Sequence, residues 1–183
     1  MASAFAHAFT AYTLKNLTTN PLLNKKFLFF VIASSIIPDL DILTFRFGIA
    51  YGDLWGHRGM THSFLFAFIW SIFLWFLINK TTDYKNLRFI SKTSLTAITI
   101  LFLSTSSHGV LDAMTNGGLG VAFFSPFDTT RYFLPWQPIQ VSPIGVAAFF
   151  SSAGLRVIIS ELIWIGIPML VFLIILKFKN RIQ

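Results

Sequence analysis

The residues able to do chemistry are few. The chain of 183 residues holds four histidines, seven acidic residues and no cysteine. Six of these fall in three short motifs: Pro38-Asp39-Leu40-Asp41, Gly56-His57-Arg58-Gly59-Met60-Thr61-His62-Ser63 and Ser107-His108-Gly109-Val110-Leu111-Asp112. His108 and Asp112 are spaced i, i+4, which places both on one face of a helix within reach of one metal or one proton donor. Asp39 and Asp41 are two apart. On a helix they would diverge, but in an extended or turning segment after Pro38 they point the same way. Mixed imidazole and carboxylate donors without thiolate suit a hard or borderline divalent ion such as Zn, Mn, Fe or Mg. Such an ion lowers the pKa of coordinated water and neutralises charge on a phosphoryl or carbonyl oxygen, supplying a nucleophile at neutral pH without Ser or Cys.

The elements that must position these groups are membrane helices. The chain is 55% hydrophobic and 11% charged with a mean hydropathy of +0.70, which excludes disorder and an ordinary water-soluble domain. Apolar runs interrupted by short polar clusters give four candidate spans, roughly Lys26 to Ile37, His62 to Ile78, Ser94 to Met114 and Val157 to Phe178. The expectation is an all-α integral membrane helical bundle, one domain over 1–183, with about four transmembrane helices, a short N-terminal helix over Ala2 to Leu14 and an interfacial loop. The first run rises only about 18 Å, short of the hydrocarbon layer, so its end at Pro38 and Asp39 is expected inside membrane depth. The loop from Thr115 to about Val141 mixes Gly117, Gly118 and Gly120 with Pro126, Pro135, Pro138 and aromatic residues, a composition suited to an interfacial lid. No internal repeat or linker marks a second domain.

Threading the spans alternately puts Lys15, Lys25, Lys26, Lys80, Lys85, Arg88, Lys92, Lys177, Lys179 and Arg181 on one side and Arg46, Arg58, Arg131 and Arg156 on the other. Ten against four marks the first side as cytoplasmic, and this collar accounts for the net charge of +7 without a nucleic-acid partner. The partner is the lipid bilayer. Counting up from the collar, Asp39 stands about 20 Å, His62 about 27 Å, and His108 and Glu161 each about 24 Å along their helices. Four segments thus deliver ligand-type side chains to one depth band on the non-cytoplasmic side, and only Asp83 among the acids falls on the cytoplasmic side.

A single intramembrane His or Asp ordinarily makes a hydrogen bond between helices. The convergence of Asp39, Asp41, His57, His62, His108 and Asp112 favours a functional site instead. His7 reads equally as a core contact or a ligand, Asp53 as a solvated loop residue, and Ser63 as the N-cap of the second span rather than a catalytic group. Asp128 and Glu161 stay open.

The succession of an early His, Pro-Asp-Leu-Asp, Gly-His-Arg-Gly-Met-Thr-His-Ser and Ser-His-Gly-Val-Leu-Asp-Ala-Met-Thr resembles the YdjM-like family of membrane-bound, metal-dependent hydrolases, LexA-regulated in some members. The likeness runs from His7 to about Arg131, and its most specific element is His57-Arg58-Gly59-Met60-Thr61-His62-Ser63. The resemblance implies a helical, inner-membrane metal hydrolase with His7, Asp39, His57, His62, His108 and Asp112 at the metal positions. On that reading the substrate is a phosphoester of a lipid or lipid-linked molecule. Arg58 and Arg131 clamp its phosphate, and Asp41 or Asp128 serves as general base or orients a histidine. Two readings compete: a non-enzymatic metal-ion or proton transport protein using the same cluster, and a haem protein with two axial histidines, disfavoured by a carboxylate beside each His.

Overall fold

The structure, a computed structural model, describes residues 1–81, 84 and 87–182, the side chains of residues 81 and 180–182 excepted. Asp83 and Lys85, and the side chain of Arg181, lie outside the described residues. Helix α1 spans Ala4–Lys15, and α2 spans Lys25–Ile36 and runs on into a 3₁₀ helix over Ile37–Phe47. A single 3₁₀ turn, Met60–His62, precedes α3 over Phe64–Thr81, and α4 covers Lys92–Ala113. The short α5, Val146–Phe149, leads to α6, Ser152–Glu161, which passes through a π-helical turn, Leu162–Gly166, into α7, Ile167–Ile182. Among the described residues there is no extended strand, only isolated bridges pairing Thr115 with Ile139 and Val121 with Tyr132.

Polar residues at the edges of the apolar runs start the helices. The side chains of Ser3, Asn24, Ser91 and Ser151 accept from backbone N–H groups of the first turns of α1, α2, α4 and α6, satisfying donors that have no partner within the helix. Ser63 does the same for α3, its Oγ accepting from Phe66 N.

The first span differs from expectation. Helical backbone continues from Lys25 to Phe47, 23 residues, long enough to cross a bilayer. Pro38 does not end it, because it occupies the first turn of the 3₁₀ segment, where a missing N–H removes no bond. The chain turns away only at Gly48, in the left-handed conformation. Asp39 and Asp41 are therefore not on one side of an extended segment. With three residues per turn their side chains diverge by about 120°.

Four elements make the bundle that carries the site. α4 is the central helix, packed against α1, α2 and α3, and it is the most buried of the long apolar helices. Polar residues within its apolar run face α2, where α3 also reaches in. Ser104 Oγ donates to Val31 O, Ser34 and Thr105 share a hydrogen bond of 2.6 Å, and Trp70 Nε1 donates to Ser34 Oγ. Toward the lysine-bearing end, Phe27, Val31, Trp75, Ile78, Ala97 and Leu101 form a close-packed apolar cluster. The terminal stretch Ser152–Lys179 is the most apolar of the long helical segments and the least buried, so most of its surface is left for lipid.

Candidate metal centre

The three motifs and α1 meet at the end of the bundle away from the lysines. α4 contributes His108 and Asp112, one turn apart on its buried face, and both side chains are fully buried. The 3₁₀ extension of α2 contributes Asp39 and Asp41, the segment leading into α3 contributes His57 and His62, and α1 lays His7 over His108, the rings stacked at 3.7 Å.

Hydrogen bonds determine which nitrogens carry protons. His108 Nδ1 lies 2.6 Å from Ser35 O, a pure acceptor, so Nδ1 bears the hydrogen and Nε2 presents its lone pair. His62 Nδ1 lies 3.1 Å from Asp41 Oδ2, which likewise turns the lone pair to Nε2. The two Nε2 atoms face each other at 3.1 Å, and Asp39 Oδ1 stands 3.2 Å from one and 3.8 Å from the other. Asp112 Oδ2 completes the group at 3.7 Å from His62 Nε2. Lone pairs so close and so buried repel unless a cation lies between them. Tetrahedral zinc with nitrogen and oxygen ligands separates its donors by roughly 3.3 Å, and these separations bracket that value. Buried charge points the same way. Asp39, Asp41 and Asp112 are buried around the guanidinium of Arg58, an excess of carboxylate that a bound cation would offset.

Around these four donors the remaining residues divide by what they touch. Asp41 is a hub. Its Oδ1 accepts from His57 Nδ1 at 2.7 Å, and its Oδ2 accepts from Arg58 N and Thr61 Oγ1 as well as facing His62. His57 Nε2 is buried and without a hydrogen-bond partner, as are His7 Nε2 and Asp39 Oδ1. His7 Nε2 lies 3.6 Å from Asp112 Oδ1, at the margin of the group. The orphaned Asp39 Oδ1, buried against the facing Nε2 atoms of His62 and His108, fits a metal ion there, which supplies the missing partner. Carboxylates that orient metal-binding histidines tune affinity strongly. Asp41→Asn, which offers His57 or His62 an amide donor in place of an acceptor, is expected to weaken divalent-metal binding about 10- to 100-fold, measured by titration against a chelating dye.

The comparisons with known proteins agree with a membrane protein. The sequence model described as "YdjM inner membrane protein" matches residues 1–182. The chain belongs to the YdjM inner membrane protein family. It is 36% identical over 156 residues to "Inner membrane protein YbcI" of Escherichia coli (strain K12), covering 85% of this chain and 86% of that protein. No solved structure matches it.

Within this YdjM-family chain two arginines, Arg58 and Arg131, turn inward. Arg58 is fully buried and adopts φ 63°, in the left-handed region. Its Nε donates to Asp112 Oδ2 at 3.0 Å, and its two terminal nitrogens donate to Gly117 O and Thr115 Oγ1. Arg131, half-buried in the long loop, donates to the carbonyls of His57, Tyr51 and Asp53 and so ties down the segment carrying His57. Burial lowers its pKa from the ordinary guanidinium value. Asp128 is not brought to the cluster. It lies in the loop, where hydrogen bonds from Thr130 and from Tyr132 hold its carboxyl below the usual range. Gly118, at φ 91°, lets the loop pass over Arg58, and a Cβ there would fall 2.7 Å from Arg58 Nη1. Gly118→Ala is expected to destabilise the protein by roughly 2 kcal/mol or more through left-handed strain and this clash, read as a lowered Tm in detergent.

Three contributors escaped the sequence reading. Ala2 N donates to Asp112 Oδ1 at 2.6 Å, Ser3 donates through both N and Oγ to Glu161, and Ser35 O fixes the His108 tautomer. The signal for the last was present, since a Ser-Ser pair inside an apolar run marks a contact between helices.

Proposed function

We propose that residues 1–183 act as one inner-membrane domain, a metal-dependent hydrolase that cleaves a phosphoester of a lipid or lipid-linked substrate at the non-cytoplasmic side. The observation that carries this reading is the convergence of His62 Nε2, His108 Nε2 and Asp39 Oδ1, three acceptors with no donor among them, beside Asp112. A divalent ion held there, with zinc favoured by the donor set, would acidify water and neutralise charge on a phosphoryl oxygen.

The protein's own groups supply the rest. Asp41 holds His62 and His57 in the tautomers that leave both Nε2 atoms free. His57 Nε2, backed by that carboxylate, takes a proton during attack on the phosphorus and returns it to the leaving oxygen. Arg58 and Arg131 serve here as positioning residues rather than as a phosphate clamp, because their donors hold Asp112 and the His57 loop. His7 stacks on His108 and restricts its ring. A conducting path is disfavoured by the apolar cluster of Phe27, Val31, Trp75, Ile78, Ala97 and Leu101, which fills the bundle between the site and its opposite end.

The test is hydrolysis of phosphatidyl and prenyl-phosphate substrates by protein in detergent, before and after chelation and after return of the metal. The proposal expects turnover to fall at least 100-fold on chelation and to recover with Zn or Mn. Turnover indifferent to chelation, or metal-loaded protein that cleaves neither substrate class, contradicts it.

A further inference from the structure

The opposite end of the bundle carries a second feature, unrelated to the His and Asp cluster. The loop between α1 and α2 folds over the start of α4, where Asn20 Nδ2 donates to Thr93 Oγ1 at 3.0 Å. Asn20 also stiffens the loop itself, its N donating to Thr18 Oγ1 and its Oδ1 accepting from Leu22 N. Two hollows meet at Thr18. One, of about 320 Å³, is rimmed by Lys15 and Lys25 with Thr19 and Asn24. The other, of about 540 Å³, begins at Lys92 and runs down the outer face of α4 past Leu95, Thr96, Thr99 and Leu103, with Leu17 as its second wall. Lys25 and Lys92 are the first residues of α2 and α4, so the helix dipoles add to the lysine charges.

Three cations at the membrane edge and an apolar trough leading inward along a spanning helix match one ligand chemistry: a negative phosphate joined to a hydrocarbon chain. We propose that this surface binds one anionic phospholipid of the leaflet on the lysine side, its phosphate held by Lys15, Lys25 and Lys92 and one acyl chain lying along Leu95, Thr99 and Leu103. A zwitterionic lipid fits less well, since its ammonium would meet the same three lysines. Basic residues beside spanning helices attract anionic head groups in this way. The loop's internal hydrogen bonds preform the phosphate end, so little ordering opposes binding.

The experiment is native mass spectrometry of the full chain released from nanodiscs of phosphatidylethanolamine with phosphatidylglycerol, alongside a titration of delipidated protein with each lipid and with inorganic phosphate. The expected result is one retained phosphatidylglycerol, preferred over phosphatidylethanolamine by about tenfold or more, with no comparable binding of phosphate alone. The triple variant Lys15→Gln, Lys25→Gln, Lys92→Gln is expected to lose the preference. Thr99→Trp, which leaves the lysines in place and fills the trough, is expected to lose retention. Thr99 is exposed on α4, so this variant tests the chain-binding half without disturbing the core. Equal retention of the two lipids, phosphatidylglycerol binding unchanged in the triple variant or in Thr99→Trp, or phosphate alone binding as well as the lipid would overturn the proposal.

Discussion

Arg58→Met is expected to destabilise the protein by about 3–5 kcal/mol, the usual result of removing one partner from a buried ion pair. The side chain is fully buried and its Nε lies 3.0 Å from Asp112 Oδ2, so methionine fills the space but leaves a carboxylate uncompensated beside Asp39. Two further acceptors, Gly117 O and Thr115 Oγ1, lose their donors, and with them the long loop loses its attachment over the site. Arg58→Lys keeps the charge but replaces the planar fork that reaches three separate acceptors with a compact ammonium, so it is expected to recover only part of the loss. Equilibrium unfolding in mixed detergent micelles measures both. Stability of Arg58→Met within about 1 kcal/mol of the parent would mean that Asp112 is not charged in the folded protein.

The second large effect is expected at His108. Its ring is fixed from three directions: Ser35 O on Nδ1, the stacked ring of His7 on one face, and His62 and Asp39 around Nε2. His108→Ala removes a donor from the centre of the group and leaves His62 Nε2 and Asp39 Oδ1 without their nearest neighbour. Divalent-metal affinity is expected to fall by more than the ~100-fold that marks the loss of an orienting partner. A competition titration with a chelator of known strength reads it. His7→Ala, at the margin and 3.6 Å from Asp112, is expected to cost less. If His7→Ala proves the more severe, the donor set centres on α1 rather than α4.

How much of this was legible beforehand differs from residue to residue. The i, i+4 spacing of His108 and Asp112 sufficed to place both on one face, because helix geometry is local and α4 is regular. The three motifs converge in depth as helix rise requires. The directions of Asp39 and Asp41 were not legible, since they depend on the chain continuing as a 3₁₀ helix past Pro38, which is decided by packing against α4 and the His57 turn. Arg58 looked available to a substrate because it follows a histidine in a loop. Its left-handed backbone and the three acceptors gathered from residues 112 to 117 turn it inward, and those contacts span more than fifty positions of sequence. Glu161 stood at the right depth, but its partner, Ser3, lies 158 residues away. Local spacing specified which side chains share a face, and long-range packing decided which of them meet.

The central claim is that the His and Asp cluster holds a divalent ion. Metal content per chain, measured by mass spectrometry of protein purified without chelator, tests it most directly when the parent and His62→Ala are compared. The account predicts at least one equivalent of a divalent transition metal in the parent and less than about a tenth of that in His62→Ala, since His62 Nε2 is one of the converging donors. A parent chain that is folded and metal-free even after incubation with Zn and Mn, or a His62→Ala variant that keeps the metal at the parent ratio, would contradict it.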